Sequence, residues 1–193
     1  MHTRRLSTLI LGIWTGLAIA MMFVAIQNFH GVDRLLEAPS TAARTPIDAL
    51  GHGRARTLLR YQISELNRFY FDWYETAEIA LAVLLTLNLL FATNGNKAML
   101  LLCGSVLTLL LFQHFWLTPE ITYLGRLIDF VPKDTPSAAR SRFWSFHIAY
   151  SVLEAVKIAL LAAIAVKMLV RGDRRRSIIR PSDFIEESYF ETR

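Results

Sequence analysis

The chain has 193 residues, 53% of them hydrophobic, with a formal net charge of +5 and one cysteine. That apolar content is high for a water-soluble domain of this length. The basic residues flank apolar blocks, which points to lipid headgroups and away from nucleic acid, and one thiol closes no intrachain disulfide.

Four apolar blocks stand out, residues 6–27, 73–92, 98–117 and 147–170. Each meets the ~20-residue length that carries a helix across ~30 Å of hydrocarbon. An open sheet edge is not viable in lipid, and the alternation of a barrel strand is absent. The expectation is an all-α membrane protein: a four-transmembrane-helix bundle over residues 1–171, followed by a polar tail over 172–193.

The first block follows His2, Arg4 and Arg5. Ala18-Ile19-Ala20 offers a signal-cleavage site, but the apolar run continues through Ile26, too far for a signal core. An uncleaved span is expected. Gly12, Gly16 and Ala20 recur at four-residue spacing and are expected to pack inside the bundle. Residues 27–72 read as a long polar connection. In it Thr45 caps a short helix with Pro46 in its first turn, and Gly51-His52-Gly53 ends that helix. From Arg54 to the second block no proline or glycine intervenes. Leu58, Leu59, Ile63, Leu66 and Tyr70 recur at helical spacing, so one helix of ~55–60 Å should run from outside the bilayer through it.

In the second block Phe71, Glu75, Glu78 and Ala82 share a face, and Asn88 lies deeper. Ala92-Thr93-Asn94-Gly95-Asn96-Lys97 is a short turn, which makes blocks two and three an antiparallel hairpin. Cys103, in the third block, reads as a small packing residue. The third block ends at Phe112-Gln113-His114-Phe115-Trp116. Thr118-Pro119 should then cap a new interfacial helix near residues 120–130. Asp134-Thr135-Pro136 is expected to start the last long helix, which leaves the membrane near Lys167 to Arg171. The tail carries Arg174, Arg175 and Arg176, then turns acidic.

The fourth block is the most informative, because an ionisable group inside a span is expensive and usually marks a bundle interior or a pathway. At ~100° per residue, His147, Ser151, Glu154 and Ile158 fall on one face, with Tyr150 and Lys157 at its edge. Connectivity brings His30, Glu75, Glu78, His114, His147 and Glu154 toward the membrane face opposite the termini. Extensions of spans two and four and three aromatic clusters are expected on that same face. Arg4, Arg5, Lys97, Arg171 and Arg174 to Arg176 lie near the other, favouring cytoplasmic termini in a cell (inner or plasma) membrane.

Four readings of the polar residues follow. His114 and His147 with Glu78, supported by Glu75 and Glu154, could ligate Zn or Cu, although no two histidines have close ligand spacing. The same two histidines could hold one haem. Glu154, Lys157 and the carboxylates of span two could form a proton or small-solute path. The fourth and favoured reading is structural, with Glu154 paired to Lys157 and His147 hydrogen-bonded in a packed polar layer. No phosphate loop, nucleophile elbow or H-E-x-x-H is present. The sequence therefore points to a non-enzymatic membrane scaffold or accessory subunit without resident cofactor, partnered by the bilayer and by a second copy or a membrane complex.

Three segments carry a resemblance: Arg68-Phe69-Tyr70-Phe71, Leu117-Thr118-Pro119-Glu120 with Arg126, and Phe143-x-x-x-His147-x-x-x-Ser151. With these the chain resembles the four-span membrane family that includes the human transmembrane protein associated with cisplatin resistance. The resemblance covers span one to span four and implies an integral four-helix fold; it carries no established reaction. Glu154 stands where such families usually have a small amide residue.

Overall fold

A computed structural model describes residues 2–92, 97–132 and 134–177, with side chains for 5–91, 97–132 and 134–168. Among the described residues there are six α-helices: α1 (His2–Glu37), α2 (Thr41–Leu50), α3 (His52–Ala92), α4 (Lys97–Phe112), α5 (Thr118–Ile128) and α6 (Ala138–Ser177). No strand occurs among the described residues. Among the described residues four stretches are long and apolar enough to cross a membrane: Arg5–Glu37, His52–Phe91, Lys97–Ile128 and Ala138–Met168. The expected turn over residues 93–96, Lys133, the side chains of Arg4, Arg171 and Arg174 to Arg176, and the tail from 178 lie outside the described residues.

Helices α1 and α3 pair antiparallel along most of their length. Asn88 Nδ2 donates to Ser7 Oγ at 2.6 Å, Asn28 Nδ2 to Asn67 Oδ1 at 2.7 Å, and Arg56 Nη2 to Asp33 Oδ1 at 2.9 Å. The connection between them is more helical than the sequence suggested. Helix α1 runs on to Glu37, because Val32 and Leu36 bury a further apolar face against Ile47 and Ala55. Ser40 rather than Thr45 caps α2, its Oγ accepting from Ala43 N at 3.3 Å, and Pro46 sits inside the helix. Only Gly51 separates α2 from α3. Its φ of +79° is the left-handed geometry that glycine adopts without a Cβ penalty. The long α3 matches the expected continuous helix.

The third block does not end at Thr118. The backbone stays helical from α4 through a π-helical turn, Gln113–Leu117, into α5, with Leu117 at φ −73°, ψ −47° and Thr118 at φ −66°, ψ −42°. Pro119 lacks an N–H and would leave an α-helical turn one bond short; the wider turn just before it accommodates that. Thr118 is therefore not a cap, and its hydroxyl is used elsewhere. Helix α6 starts at Ala138, later than Asp134, with Ser137 O accepting from Arg140 N and Ser141 N. Arg140 fastens the preceding loop by donating to Val131 O, Pro132 O and Thr135 O at 2.9–3.1 Å.

The bundle is tiered. At the end holding the start of α1, Ile10, Leu11 and Trp14 pack with Leu85, Leu89, Met99, Cys103, Leu110, Leu161 and Ile164. A polar layer follows, then the extensions of α1 and α3 with α2 and α5. The packing role expected of Cys103 holds: it is buried in the first tier. That expected of Gly12 and Gly16 does not, since both are exposed, with nothing within 4 Å of a Cβ added at either. Trp14 and Leu11 point inward instead. Within the candidate spans only 22–33% of the apolar window is buried, so the exterior is largely hydrocarbon, with Ile13, Phe23, Leu87, Phe91, Leu101 and Ile148 exposed.

Candidate functional site

The polar layer is built by three helices around Lys157, whose side chain is wholly buried. Its Nζ donates to Glu78 Oε2 and to Glu154 Oε1, both at 2.6 Å, and lies 3.4 Å from Tyr74 OH. Trp14 Nε1 donates to the other oxygen of Glu78 at 2.7 Å. Gln113 Nε2 donates to Glu154 Oε1 at 3.1 Å, and Tyr74 OH to Oε2 at 3.4 Å. Both oxygens of Glu78 and of Glu154 thus accept from the protein. Lys157 stands about ten residues from both His147 and Lys167, which is ~15 Å of helix each way and matches half of a ~30 Å hydrocarbon core.

A second lobe lies beside the first. Glu75, 1% exposed, accepts from Thr118 Oγ1 on Oε1, and its Oε2 stands 3.2 Å from His114 Nδ1. The π-helical turn places Gln113 and His114 next to one another and aims them at Glu154 and Glu75 respectively; π-turns recur at functional positions. His114 keeps 20% side-chain exposure and opens this lobe to the outside. Two buried polar atoms are left without a hydrogen bond here, Gln113 Oε1 and Tyr150 OH.

The structure brings together Glu75, Glu78, His114, Glu154 and Lys157, and separates His147 and Ser151 from them. The expected stripe His147–Ser151–Glu154–Ile158 is corrected accordingly. The inward seam of α6 runs Tyr150, Glu154, Lys157, Leu161 and Ile164, while His147, Ser151 and Ile158 are exposed. A straight helix drifts against a seven-residue repeat, so extrapolating two turns back from Glu154 overshoots. At that level α6 meets the π-turn and α5 through Phe146, edge-on to Trp116, and through Phe143 near Gly125. The His147 ring stacks on Phe143 with a 5.7 Å centroid separation, and Ser151 Oγ donates to His147 O of its own helix. His30 is exposed and stays outside the layer. No group of three or more His, Cys, Asp or Glu converges in metal-ligand fashion among the described residues.

Trp14 was missed by sequence reasoning. The available signal was an indole at the centre of a span, far from the interfaces where tryptophan gathers, and needing a partner for its N–H. Gln113 and Thr118 were read as helix-end residues, and only the π-turn turns them inward.

Outside the layer, α3 and α5 are tied by charges. Arg68 Nη2 donates to Asp129 Oδ1 at 3.1 Å and Nη1 to Glu65 Oε1 at 2.6 Å; Arg126 grips Glu65 with two bonds of 2.9–3.0 Å. Gly125 lets Arg68 through, since a Cβ there would stand 2.7 Å from its guanidinium. Arg126, with help from Arg68, holds the Glu65 carboxyl at about 2, below its ordinary 4.5. A lowered carboxyl value means stability that is present above about 4.5 and lost as pH falls toward about 2. Thermal unfolding in detergent should therefore separate wild type from Glu65→Gln at neutral pH, with the gap closing in acid. A gap that stays constant with pH would remove the charge from this account.

No family model, curated protein or solved structure matches the chain.

Proposed function

We propose that the chain is a multi-pass integral membrane protein of a cell (inner or plasma) membrane, its four long helices crossing the bilayer with both termini cytoplasmic. In this reading it serves as a scaffold or accessory subunit, assigned no reaction and no resident cofactor, and it belongs with the four-span family it resembles. The observation that carries the reading is the arrangement around Lys157: the charged groups of α3 and α6 turn toward each other while the apolar side chains face out. That is the inverse of a water-soluble bundle and suits a lipid surround. Exposed Trp73, Phe115, Trp116 and Trp144 near the ends of the apolar runs suit an aromatic belt. Residues of the resembling segments also take part in the packing: Arg68 in the α3–α5 ties, Thr118 on Glu75, and Phe143 against His147.

The metal alternative is less well supported. Glu75 and His114 supply one carboxylate and one imidazole, and the other candidates are engaged with Lys157 or, for His147, face elsewhere.

In a Cys103→Ser background, Ser40→Cys should react with an impermeant maleimide on intact cells, and Ser182→Cys only after permeabilisation. The reverse pattern would overturn the orientation. Release of the protein by alkaline carbonate would overturn the membrane assignment.

A further inference from the structure

The buried layer does not balance its charge. Facing one another are Glu75, Glu78 and Tyr74 from α3, His114 from the π-turn, and Tyr150, Glu154 and Lys157 from α6; α1 contributes Trp14 and α5 Thr118, neither of which titrates. Three carboxylates meet one lysine. Even with His114 as an imidazolium, one negative charge is left over in a region of low dielectric, where an uncompensated ion is costly.

Two further observations mark where the deficit is made up. Tyr150, 8% exposed, lies beside Glu75 at the margin of hydrogen-bond reach and within electrostatic reach of Glu78 and Glu154, its hydroxyl held by no bond of full geometry. Gln113, 0% exposed, spends its amide N–H on Glu154 and leaves its carbonyl oxygen empty. A layer that needed only to lock helices together would satisfy these groups. One that passes a proton between carboxylates needs a hydroxyl free to turn from one to the next.

We propose that this layer is a proton-binding site: it holds one exchangeable proton beyond that of Lys157, shared among Glu75, Glu78 and Glu154, and loads it from the face that carries α5 through His114. The proton arrives on Nε2 of a neutral His114 whose Nδ1–H faces Glu75 Oε2. The imidazolium then gives its Nδ1 proton to Oε2. Glu75 becomes a neutral acid and His114 keeps its new proton on Nε2; one proton has entered, taking the layer's surplus negative charge from two, counted with His114 neutral, to one, and a further proton held on His114 cancels the last. Tyr150 relays it by donating its own hydroxyl proton to Glu154 while accepting that of Glu75. The inference rests on the membrane reading above, whose own failure shows separately as release by carbonate.

The test is infrared difference spectroscopy of the wild-type protein in phosphatidylcholine liposomes, stepped in pH, beside Glu75→Gln, Glu78→Gln and Glu154→Gln. A carboxylic-acid carbonyl band should appear on acidification and be missing from at least one of the three variants. Wild-type spectra identical to all three would overturn the site, because exposed carboxyls alone would then account for the band. His114→Gln and Tyr150→Phe test the route without removing a carboxylate, and so stay informative if a glutamine variant does not fold. Each should retain the band but slow its deuterium exchange about 100-fold, the lower end of what a positioned proton-transfer group contributes. Unchanged exchange in both would overturn the route.

Discussion

Lys157→Met should destabilise the bundle by ~3–5 kcal/mol, the range for removing one partner of a buried ion pair. The lysine is wholly buried and bonds two carboxylates on different helices, Glu78 of α3 and Glu154 of α6. Hydrogen bonds between membrane helices are each worth only ~0.6–1.7 kcal/mol. Only the bond to Glu78 crosses between helices, Glu154 being one turn away on α6 itself, so the larger share of the loss would come from the charges left behind. Reversible unfolding in mixed detergent, followed by helical circular dichroism, measures it. The triple change Glu78→Gln, Lys157→Met, Glu154→Gln should regain most of the loss, since the carboxamides still accept from Trp14 and Tyr74 and the one carboxylate left, Glu75, keeps Thr118 and His114. A single-variant cost below ~1 kcal/mol, as for an exposed ion pair, would mean that Lys157 is solvated and the layer is not closed.

The triple variant also separates the two roles assigned to the layer. If it restores stability and abolishes the pH-dependent carboxyl band, the charges are kept for the proton and not for holding the helices. Such a result would fit the general finding that buried ion pairs are weak evidence for stability as such.

Composition and block length made the four helices legible, because ~20 apolar residues leave the chain few alternatives. The unbroken α3 was equally clear: no proline or glycine occurs from Arg54 to Ala92. The pairing of Glu154 with Lys157 and the shared face of Glu75, Glu78 and Ala82 followed from helical spacing alone. Less was legible where neighbours choose between near-equal local options. Thr118-Pro119 is a standard helix opening, yet continuing the helix through a π-turn lets Thr118 and His114 reach Glu75 and Gln113 reach Glu154. The inward seam of α6 runs at regular helical spacing through Phe143, Phe146, Tyr150, Glu154, Lys157, Leu161 and Ile164. Glu154 lies at its edge, so a stripe centred on Glu154 turns toward His147 and Ser151, and only the neighbours at that level, Gly125 and Trp116, show which side is covered. Gly12 and Gly16 failed for a related reason. Small residues permit close approach but do not require it, and the bulk of Trp14 claimed the inward direction.

Trp14 gives the second large effect, and the pair of variants that tests it separates packing from hydrogen bonding. Its indole is 0% exposed, packed in one apolar cluster with Ala82, Leu85, Cys103, Val106, Leu161 and Ile164 beside the polar layer. Trp14→Ala removes the whole ring and should cost ~3–5 kcal/mol, as for large-to-small core changes. Trp14→Phe keeps much of the apolar volume but removes the Nε1–H that reaches Glu78 Oε1 at 2.7 Å. Its cost should be ~1.5–3 kcal/mol, the range for a hydrogen bond to a charged group. Repeating Trp14→Phe in a Glu78→Gln background should shrink that cost, because the acceptor no longer carries a charge; the difference is the coupling between the two residues. A Phe variant as stable as wild type would show that Glu78 does not depend on the indole. In that case α1 would join the bundle through apolar contact alone, and the polar layer would belong to α3, α6 and the π-turn without it.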